Sequence, residues 1–213
     1  MNRELIRKVT EQEISQAIFL MQPNKSPGPN GMSPIFYQKF WSIIKTDIVN
    51  AVNSFFHSGY LLKSINETLI GLIPKPYSPS TLTEFRPISL CNVLYKIIFE
   101  VLTNRFKCVL NSCHSHPQSA FVPERQNLDN VLITHESIHV LKNKRIGRDY
   151  YIAIKLDMSK TYDRVEWRFL DKVMLKMWFC PRWISWVMEC VTSITYSINI
   201  NRENKDSLGQ QEG

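Results

Sequence analysis

Apolar residues recur at three- and four-residue intervals in two stretches near the start of the chain, and this spacing predicts helices. The first stretch follows Thr10 and Glu13, a capping-box pair. The second begins at Ser33 and Pro34, and its stripe consists of Phe36, Phe40, Ile43, Ile44, Ile48, Val52 and Phe55 before Gly59. We therefore expect a short helix and then one amphipathic helix of about 25 residues.

Shorter apolar runs bounded by proline predict strands. Residues 68–76 (TLIGLIPKP) predict a strand that ends at its prolines, and residues 85–90 (FRPISL) predict its hairpin partner. Residues 151–157 (YIAIKLD) are apolar for most of their length. This run predicts a strand buried on both faces, with Asp157 held rigidly at its end.

The remaining pattern alternates helices with one more strand. Asn92 is a cap for a helix, and further helices are predicted near residues 128–143, near 165–177 and from Pro181. Residues 194–200 alternate as in a strand, whereas the polar residues 201–213 predict a loop or a frayed end. Helices and strands in this order predict an α+β fold.

Charge and cysteine content narrow the class of protein. The net charge of +7 and the pI near 9.2 favour a polyanionic partner such as nucleic acid. Five cysteines, an odd and widely spaced set, indicate a reducing, intracellular setting, and the CHSH run at residues 113–116 lacks the paired spacing of a structural zinc site. No apolar run reaches the ~20 residues that cross a bilayer, so we expect a soluble protein without a membrane partner.

A carboxylate at the end of a rigid strand is suited to binding a hard cation. Catalytic Mg²⁺ is held by one or two carboxylates plus substrate phosphates. Asp157 is therefore predicted to be a magnesium ligand. The alternative is that Asp157 caps a turn and Asp163 caps the helix after it, which is a common use of aspartate.

Five segments in a fixed order decide between these interpretations. They are KSPGPNG (25–31), LIPKP (72–76), FRPISLCNVLYKI (85–97), QSAFVPERQNLDN (118–130) and KLDMSKTYDRVEW (155–167). Together they resemble the reverse transcriptase of non-LTR (LINE-type) retrotransposons, especially those of plant genomes. The resemblance covers about residues 10–200.

The resemblance implies a right-hand polymerase fold with fingers and an incomplete palm. Residues 1–148 would be the fingers-like region, with N-terminal helices and a β-hairpin, and residues 149–213 the start of the palm. It also implies an RNA template, a DNA primer and a dNTP as partners, and two Mg²⁺ ions as cofactors. The reaction would be RNA-directed DNA polymerisation.

Individual roles follow from the same resemblance. It implies that Asp157 binds both metal ions, that the Met158 carbonyl helps to hold the nucleotide-side ion, and that Tyr162 lies under the incoming sugar and rejects a 2′-hydroxyl.

Four residues upstream, three of them cations, receive roles in the same way. Lys75 and Arg86 would bind the triphosphate from the finger hairpin, and Gln118 and Arg125 would approach the template. The loop of residues 25–31 is either a phosphate-binding turn or a mere connector.

The chain departs from the family pattern at residues that would take part in catalysis or lie near those that do. The family uses an Asp-Asp pair for its further metal ligands, and the 213 residues contain none. Asn30, Glu124 and Thr161 stand where the family has Asp, Gly and Ala. We therefore expect a truncated fragment that does not polymerise alone, with a non-catalytic, basic nucleic-acid-binding module as the alternative.

Overall fold

The computed structural model describes residues 1–110, 113, 127–143, 152, 154, 156, 164–200 and 203–209. The helices of this part are α1 (Asn2–Leu5), α2 (Glu11–Phe19), α3 (Pro34–Lys39), α4 (Trp41–Ser58), α5 (Val93–Leu110), α6 (Asn127–Asn143), α7 (Trp167–Lys176) and α8 (Pro181–Thr192). The strands are β1 (Glu67–Pro74), β2 (Phe85–Cys91), β3 (Thr195–Ile200) and β4 (Glu203–Gly209).

The chain divides into two compact units. The first consists of Met1–Arg105 with Glu166–Gly213, and the second of Phe106–Val165. The first unit contains the sheet and most of the helices, whereas the second contains α6, whose side chains from 131 to 140 are all exposed. The boundary between fingers and palm at residues 148 and 149 stays a prediction.

The predicted start of α2 is confirmed. The amide of Glu13 donates to Thr10 Oγ1 at 3.3 Å, and the amide of Thr10 donates to Glu13 Oε2 at 3.0 Å. These reciprocal bonds satisfy two of the amides that a helix start leaves without intrahelical partners. The helix then buries Ile14, Ala17 and Ile18.

Glu13 also anchors the N-terminal segment to α5. Arg105, which is 5% exposed, donates from Nε to Glu13 Oε1 at 2.8 Å and from Nη2 to Oε2 at 3.1 Å. Burial raises the pKa of Glu13, but the bonds from Arg105 and Thr10 and the charges of Arg105 and Arg7 outweigh it, so the pKa lies below its usual value. The pair is therefore charged at neutral pH and fixes the path of the first ten residues.

The single helix predicted from Pro34 to Gly59 is wrong, because the helix breaks at Phe40. Phe40 has φ −99° and ψ 12°. Phe40 is 45% exposed and Ile43 is 73% exposed. The stripe therefore changes face at this point. In α4 the buried face consists of Ile48, Val52, Phe55 and Phe56. The predicted end is confirmed, since Gly59 lies in the left-handed region at φ 73°.

The sheet has the strand order β2-β1-β3-β4. The predicted hairpin is confirmed, because β1 and β2 pair antiparallel from Thr68↔Cys91 to Pro74↔Phe85. The strand predicted at residues 194–200 is also confirmed, as β3, and it pairs parallel with β1. The loop predicted for residues 201–213 is wrong for β4, which pairs antiparallel with β3. Backbone pairing needs no apolar side chains, so the polar composition concealed this strand.

The burial expected for residues 151–157 is wrong for the three described positions with apolar side chains. Ile152, Ile154 and Leu156 lie outside any helix or strand, and they are 84, 75 and 88% exposed. An apolar run is buried only if a neighbouring element covers it, and the sequence of the run alone does not show whether one does. Asp157 itself lies outside the described residues.

Helices α7 and α8 are joined by an unusual cap. The amide of Phe179 donates to Met174 O at 3.1 Å and that of Trp178 to Leu175 O at 3.0 Å, the two bonds of a Schellman motif. Trp178 takes the left-handed position at φ 64°, where glycine is the usual residue, and its side chain is 83% exposed. The backbone is strained here, and little burial of the indole offsets that strain.

Replacing Trp178 with glycine is expected to raise the free energy of unfolding by about 1 kcal/mol, because a side chain in the left-handed region costs about 1–2 kcal/mol and glycine loses part of that gain to its unfolded-state entropy. Urea denaturation followed by circular dichroism measures the change. Trp178→Ala is the control, since alanine removes the indole but keeps the strained Cβ. Equal effects of the two substitutions would contradict the assignment of strain to the backbone.

Candidate nucleotide-binding hairpin

Lys75 and Arg86 lie on the same face of the β1–β2 hairpin. Arg86 pairs with Ile73, and the amide of Lys75 donates to Glu84 O at 2.7 Å, which extends the ladder beyond the end of β1. Since side chains two residues apart share a face, Lys75 and Arg86 are diagonal neighbours, a geometry with a Cα separation of about 7–8 Å. The structure thus brings these two predicted site residues together.

Both cations are exposed and neither is held by a carboxylate among the described residues. Lys75 Nζ donates to the backbone oxygen of Thr83 at 2.8 Å. No described residue forms a hydrogen bond to the guanidinium of Arg86. Ile73 and Ile88 share this face and are 48 and 42% exposed, so it presents two positive charges on a partly apolar surface.

Glu84, the residue opposite Lys75 in the ladder, forms its hydrogen bonds with the hairpin turn. Glu84 Oε2 accepts from the amides of Ser80 at 2.6 Å and Thr81 at 3.2 Å. These bonds, that of Ser80 first, hold the pKa of Glu84 below its usual value. Glu84 therefore orders the hairpin turn. The charge of Lys75 also lowers the pKa of Glu84, but among the described residues no carboxylate forms a salt bridge with Lys75.

The base of the hairpin is fixed by Asn92, which is 2% exposed. Its Nδ2 donates to Ser64 O at 2.9 Å and to Ile65 O at 3.2 Å, just before β1. Its Oδ1 accepts from the amide of Asn30 at 3.2 Å, in the loop of residues 25–31. Sequence predicted Asn92 as a helix cap only. Its links to two distant segments leave no signal in a single sequence, because amide partners are not encoded by spacing.

The loop of residues 25–31 lies against the same point. A Cβ built on Gly28 would contact the backbone nitrogen of Asn92 and would lie 2.5 Å from the Cys91 carbonyl carbon and 2.6 Å from Asn92 Cα. Only glycine allows this approach. The amides of Lys25, Asn30 and Gly31 are already bonded within the protein, which favours the connector interpretation over a phosphate-binding turn.

Lys96 is a further cation at this loop that the sequence did not single out. Its Nζ donates to Ser26 O at 3.4 Å. Burial lowers the pKa of Lys96, the nearby Cys91 raises it, and the charge of Lys25 lowers it again, so the net pKa lies below its usual value. Its position one turn into α5, on the side that meets the loop, became clear only from the fold.

The other predicted site residues lie outside the described part of the chain. They are Asp157, Met158, Tyr162, Gln118 and Arg125. Their roles stay predictions. In the part that the structure describes, no group of three or more His, Cys, Asp or Glu residues is arranged to hold a metal ion, and no helix there is long and apolar enough to cross a bilayer.

Comparison with known proteins identifies the class to which this hairpin belongs. The family described as "Reverse transcriptase (RNA-dependent DNA polymerase)" matches residues 73–212, more than half of the chain. The chain belongs to the reverse transcriptase family. The reverse transcriptase family predicted from the five ordered segments is thereby confirmed, whereas the particular likeness to elements of plant genomes stays a prediction.

Two relatives come from non-LTR retrotransposons. The chain is 30% identical over 196 residues to "Transposon TX1 uncharacterized 149 kDa protein" of Xenopus laevis, which covers 89% of this chain and 15% of the relative. It is 29% identical over 155 residues to "Retrovirus-related Pol polyprotein from type-2 retrotransposable element R2DM" of Drosophila melanogaster, which covers 73% of this chain and 14% of that protein. The chain thus spans about one seventh of each relative's length and is a reverse transcriptase domain homologous to these proteins.

Substituting Gly28 with alanine is expected to lower the free energy of unfolding by about 2–3 kcal/mol, because the added methyl group has to displace the backbone of Cys91 and Asn92. Chemical denaturation measures the loss. Gly71→Ala is the matched control, since its Cβ would meet the nearest atoms at an ordinary 3.8 Å. A loss at Gly28 no larger than that at Gly71 would contradict the close approach.

Proposed function

We propose that this chain supplies the fingers and the start of the palm of an RNA-directed DNA polymerase. Its substrates would be a dNTP, an RNA template and a DNA primer, in keeping with the family and with the relatives from retrotransposons. The observation that carries the proposal is the shared face of Lys75 and Arg86 on the finger hairpin.

The two cations of the hairpin are suited to a triphosphate. Hydrogen bonds between a charged donor and a phosphate oxygen are roughly twice as strong as neutral ones, and a guanidinium can bind two oxygens at once. Phosphoryl transfer is catalysed mainly by positioning and by charge stabilisation. Lys75 and Arg86 would therefore orient the triphosphate and offset the charge that develops on the leaving pyrophosphate.

The remaining roles are proposed on the motif alone. Asp157 would be a ligand of two Mg²⁺ ions, with the Met158 carbonyl beside the nucleotide; Tyr162 would exclude a 2′-hydroxyl, and Gln118 and Arg125 would contact the template. When bound, the ions would activate the primer hydroxyl and stabilise the leaving group. The described residues bring no set of carboxylates together for them, and the sequence contains no Asp-Asp pair.

Without the Asp-Asp pair, binding of the substrates and catalysis of polymerisation have to be considered separately. One carboxylate does not hold two divalent ions in the geometry of an in-line displacement. We therefore infer that the 213-residue polypeptide binds nucleic acid and dNTP without joining them. The second candidate, a basic nucleic-acid-binding module, is favoured by the net charge of +7.

A primer-extension assay with RNA template, DNA primer, dNTPs and Mg²⁺ is expected to give no elongation with this polypeptide. A gel shift of the same primer–template is expected to show binding that weakens as the salt concentration rises, because released counterions drive such binding. Elongation that Asp157→Ala abolishes would contradict the inference of inactivity. Absence of both elongation and gel shift would contradict both candidate functions.

Replacing Lys75 or Arg86 with glutamine is expected to weaken binding of a dNTP–Mg²⁺ complex by about tenfold, since each substitution removes one charge-assisted contact of about 1.4 kcal/mol. Equilibrium binding of a fluorescent dNTP analogue in the presence of primer–template measures the change.

Lys63→Gln is the control for this pair of variants, because Lys63 is exposed and lies before β1, outside the hairpin. It removes one positive charge without removing a hairpin contact. Equal losses for all three variants would show that only net charge matters, and the proposed role of the hairpin would be wrong.

A further inference from the structure

A second basic site lies on the first unit, in a cavity between the N-terminal segment, α4 and α8. Its volume is about 420 Å³. The lining residues are Ile6, Arg7, Lys8, Val9, Asn53, Phe56, His57, Arg182 and Trp186. A volume of this size lies within the range of about 300–1,000 Å³ that small-molecule pockets occupy.

The charge of the cavity lining is of one sign. No Asp or Glu lines it, whereas Arg7, Lys8, His57 and Arg182 do. Arg7 is engaged by Glu13 at 3.1 Å and by Glu4 at 3.6 Å. Among the described residues no carboxylate pairs with Lys8, His57 or Arg182. The cavity therefore attracts anions.

One of these cations, Arg182, packs on a pair of buried aromatic rings. Phe56 and Trp186 are 5 and 2% exposed and meet edge to face with ring centroids 4.9 Å apart. The guanidinium carbon of Arg182 lies 5.3 Å from the centroid of Trp186, and its Nη2 donates to Phe56 O at 3.2 Å. Stacking and this hydrogen bond orient the guanidinium and leave other N–H groups for a ligand.

The opposite wall is held as firmly. Buried Arg105 donates from Nη1 to Arg7 O at 2.7 Å and from Nη2 to Lys8 O at 3.3 Å. The backbone that presents Lys8 is therefore fixed by the same side chain that binds Glu13. Preorganised walls reduce the ordering cost of binding.

The cavity and the hairpin cations are at different places in the fold. Arg182 stands at the beginning of α8, and the strand that follows α8 pairs with the beginning of β1. Lys75 follows the far end of β1. None of the residues that line the cavity belongs to β1 or β2, so the cavity and the hairpin cations are built from different elements.

We propose that this cavity binds the sugar–phosphate backbone of a single-stranded nucleic acid, one nucleotide deep, with Lys8 and Arg182 on the phosphates. A groove of one sign of charge can bind the backbone of a single strand without sequence preference. Phe56 and Trp186 are buried, so they would orient Arg182 and would not stack on bases. This site is additional to the proposed dNTP and template contacts, and it depends on neither Asp157 nor the hairpin.

The test is the affinity of the full 213-residue chain for a fluorescently labelled oligouridylate, measured by anisotropy over a series of KCl concentrations. Lys8→Gln and Arg182→Gln are each expected to weaken binding three- to tenfold and to reduce the slope of log K against log salt by about 0.7 for each lost phosphate contact. Arg182→Lys is expected to retain most of the affinity. Lys39 is exposed and does not line the cavity, so Lys39→Gln is the control. It is expected to leave the affinity and the slope as they are in the unaltered chain.

A second measurement needs no variant. Amine acetylation of the unaltered protein, read by mass spectrometry, is expected to show Lys8 protected by the oligouridylate and not by inorganic phosphate or uridine monophosphate at the same phosphate concentration. Lack of protection of Lys8 would overturn the proposal, and equal protection by inorganic phosphate would overturn its assignment to a strand. Neither result bears on primer extension, so failure here is distinguishable from failure of the proposed polymerase role.

Discussion

The contact of Gly28 with the Cys91–Asn92 backbone is the constraint on which the β1–β2 hairpin depends. Three segments meet there: the loop of residues 25–31, the residues before β1, and the turn from β2 into α5. Asn92, which belongs to the third segment, satisfies polar groups of the other two with one buried side chain. Leaving a buried donor or acceptor without a partner costs about 1–3 kcal/mol, so this point resists rearrangement. A hairpin fixed at its base can present cations at its tip in a defined direction.

The buried and the exposed cations of this chain differ in their partners. Arg105 is 5% exposed, and its guanidinium is used entirely within the protein, on Glu13 and on backbone oxygens. Breaking a buried pair of this kind is costly, because the partner left behind is a desolvated charge. Lys75 and Lys8, by contrast, are exposed and form no salt bridge with a described residue. Exposed ion pairs contribute little to stability, so the fold does not depend on such pairs at these lysines, which are the ones proposed to bind phosphate.

Local signals in the sequence predicted local structure well. The capping box of Thr10 and the left-handed end at Gly59 were both confirmed, because each depends on residues within one turn. The β1–β2 hairpin was confirmed as well, because its two strands are neighbours in the sequence and their ends are marked by proline. Errors arose where the apolar spacing carries no signal: it continues through the break at Phe40, and β4 forms by pairing of its backbone. For the site, the family motif predicted both hairpin cations, but it gave no indication of the Asn92 links or of the basic cavity, whose walls are far apart in sequence.

Lys75 and Glu84 already have hydrogen-bond partners within the hairpin, and this determines how a triphosphate would be bound. Lys75 Nζ already donates to Thr83 O at 2.8 Å, and the turn is ordered by Glu84. A phosphate oxygen would have to replace a neutral carbonyl as one acceptor of an ammonium that has three donors. The exchange keeps the number of hydrogen bonds and adds the Coulomb attraction of opposite charges, which the carbonyl lacks. In the proposed function, Lys75 would therefore change partners without a change in the strand pairing, while the exposed guanidinium of Arg86 would attract the triphosphate first.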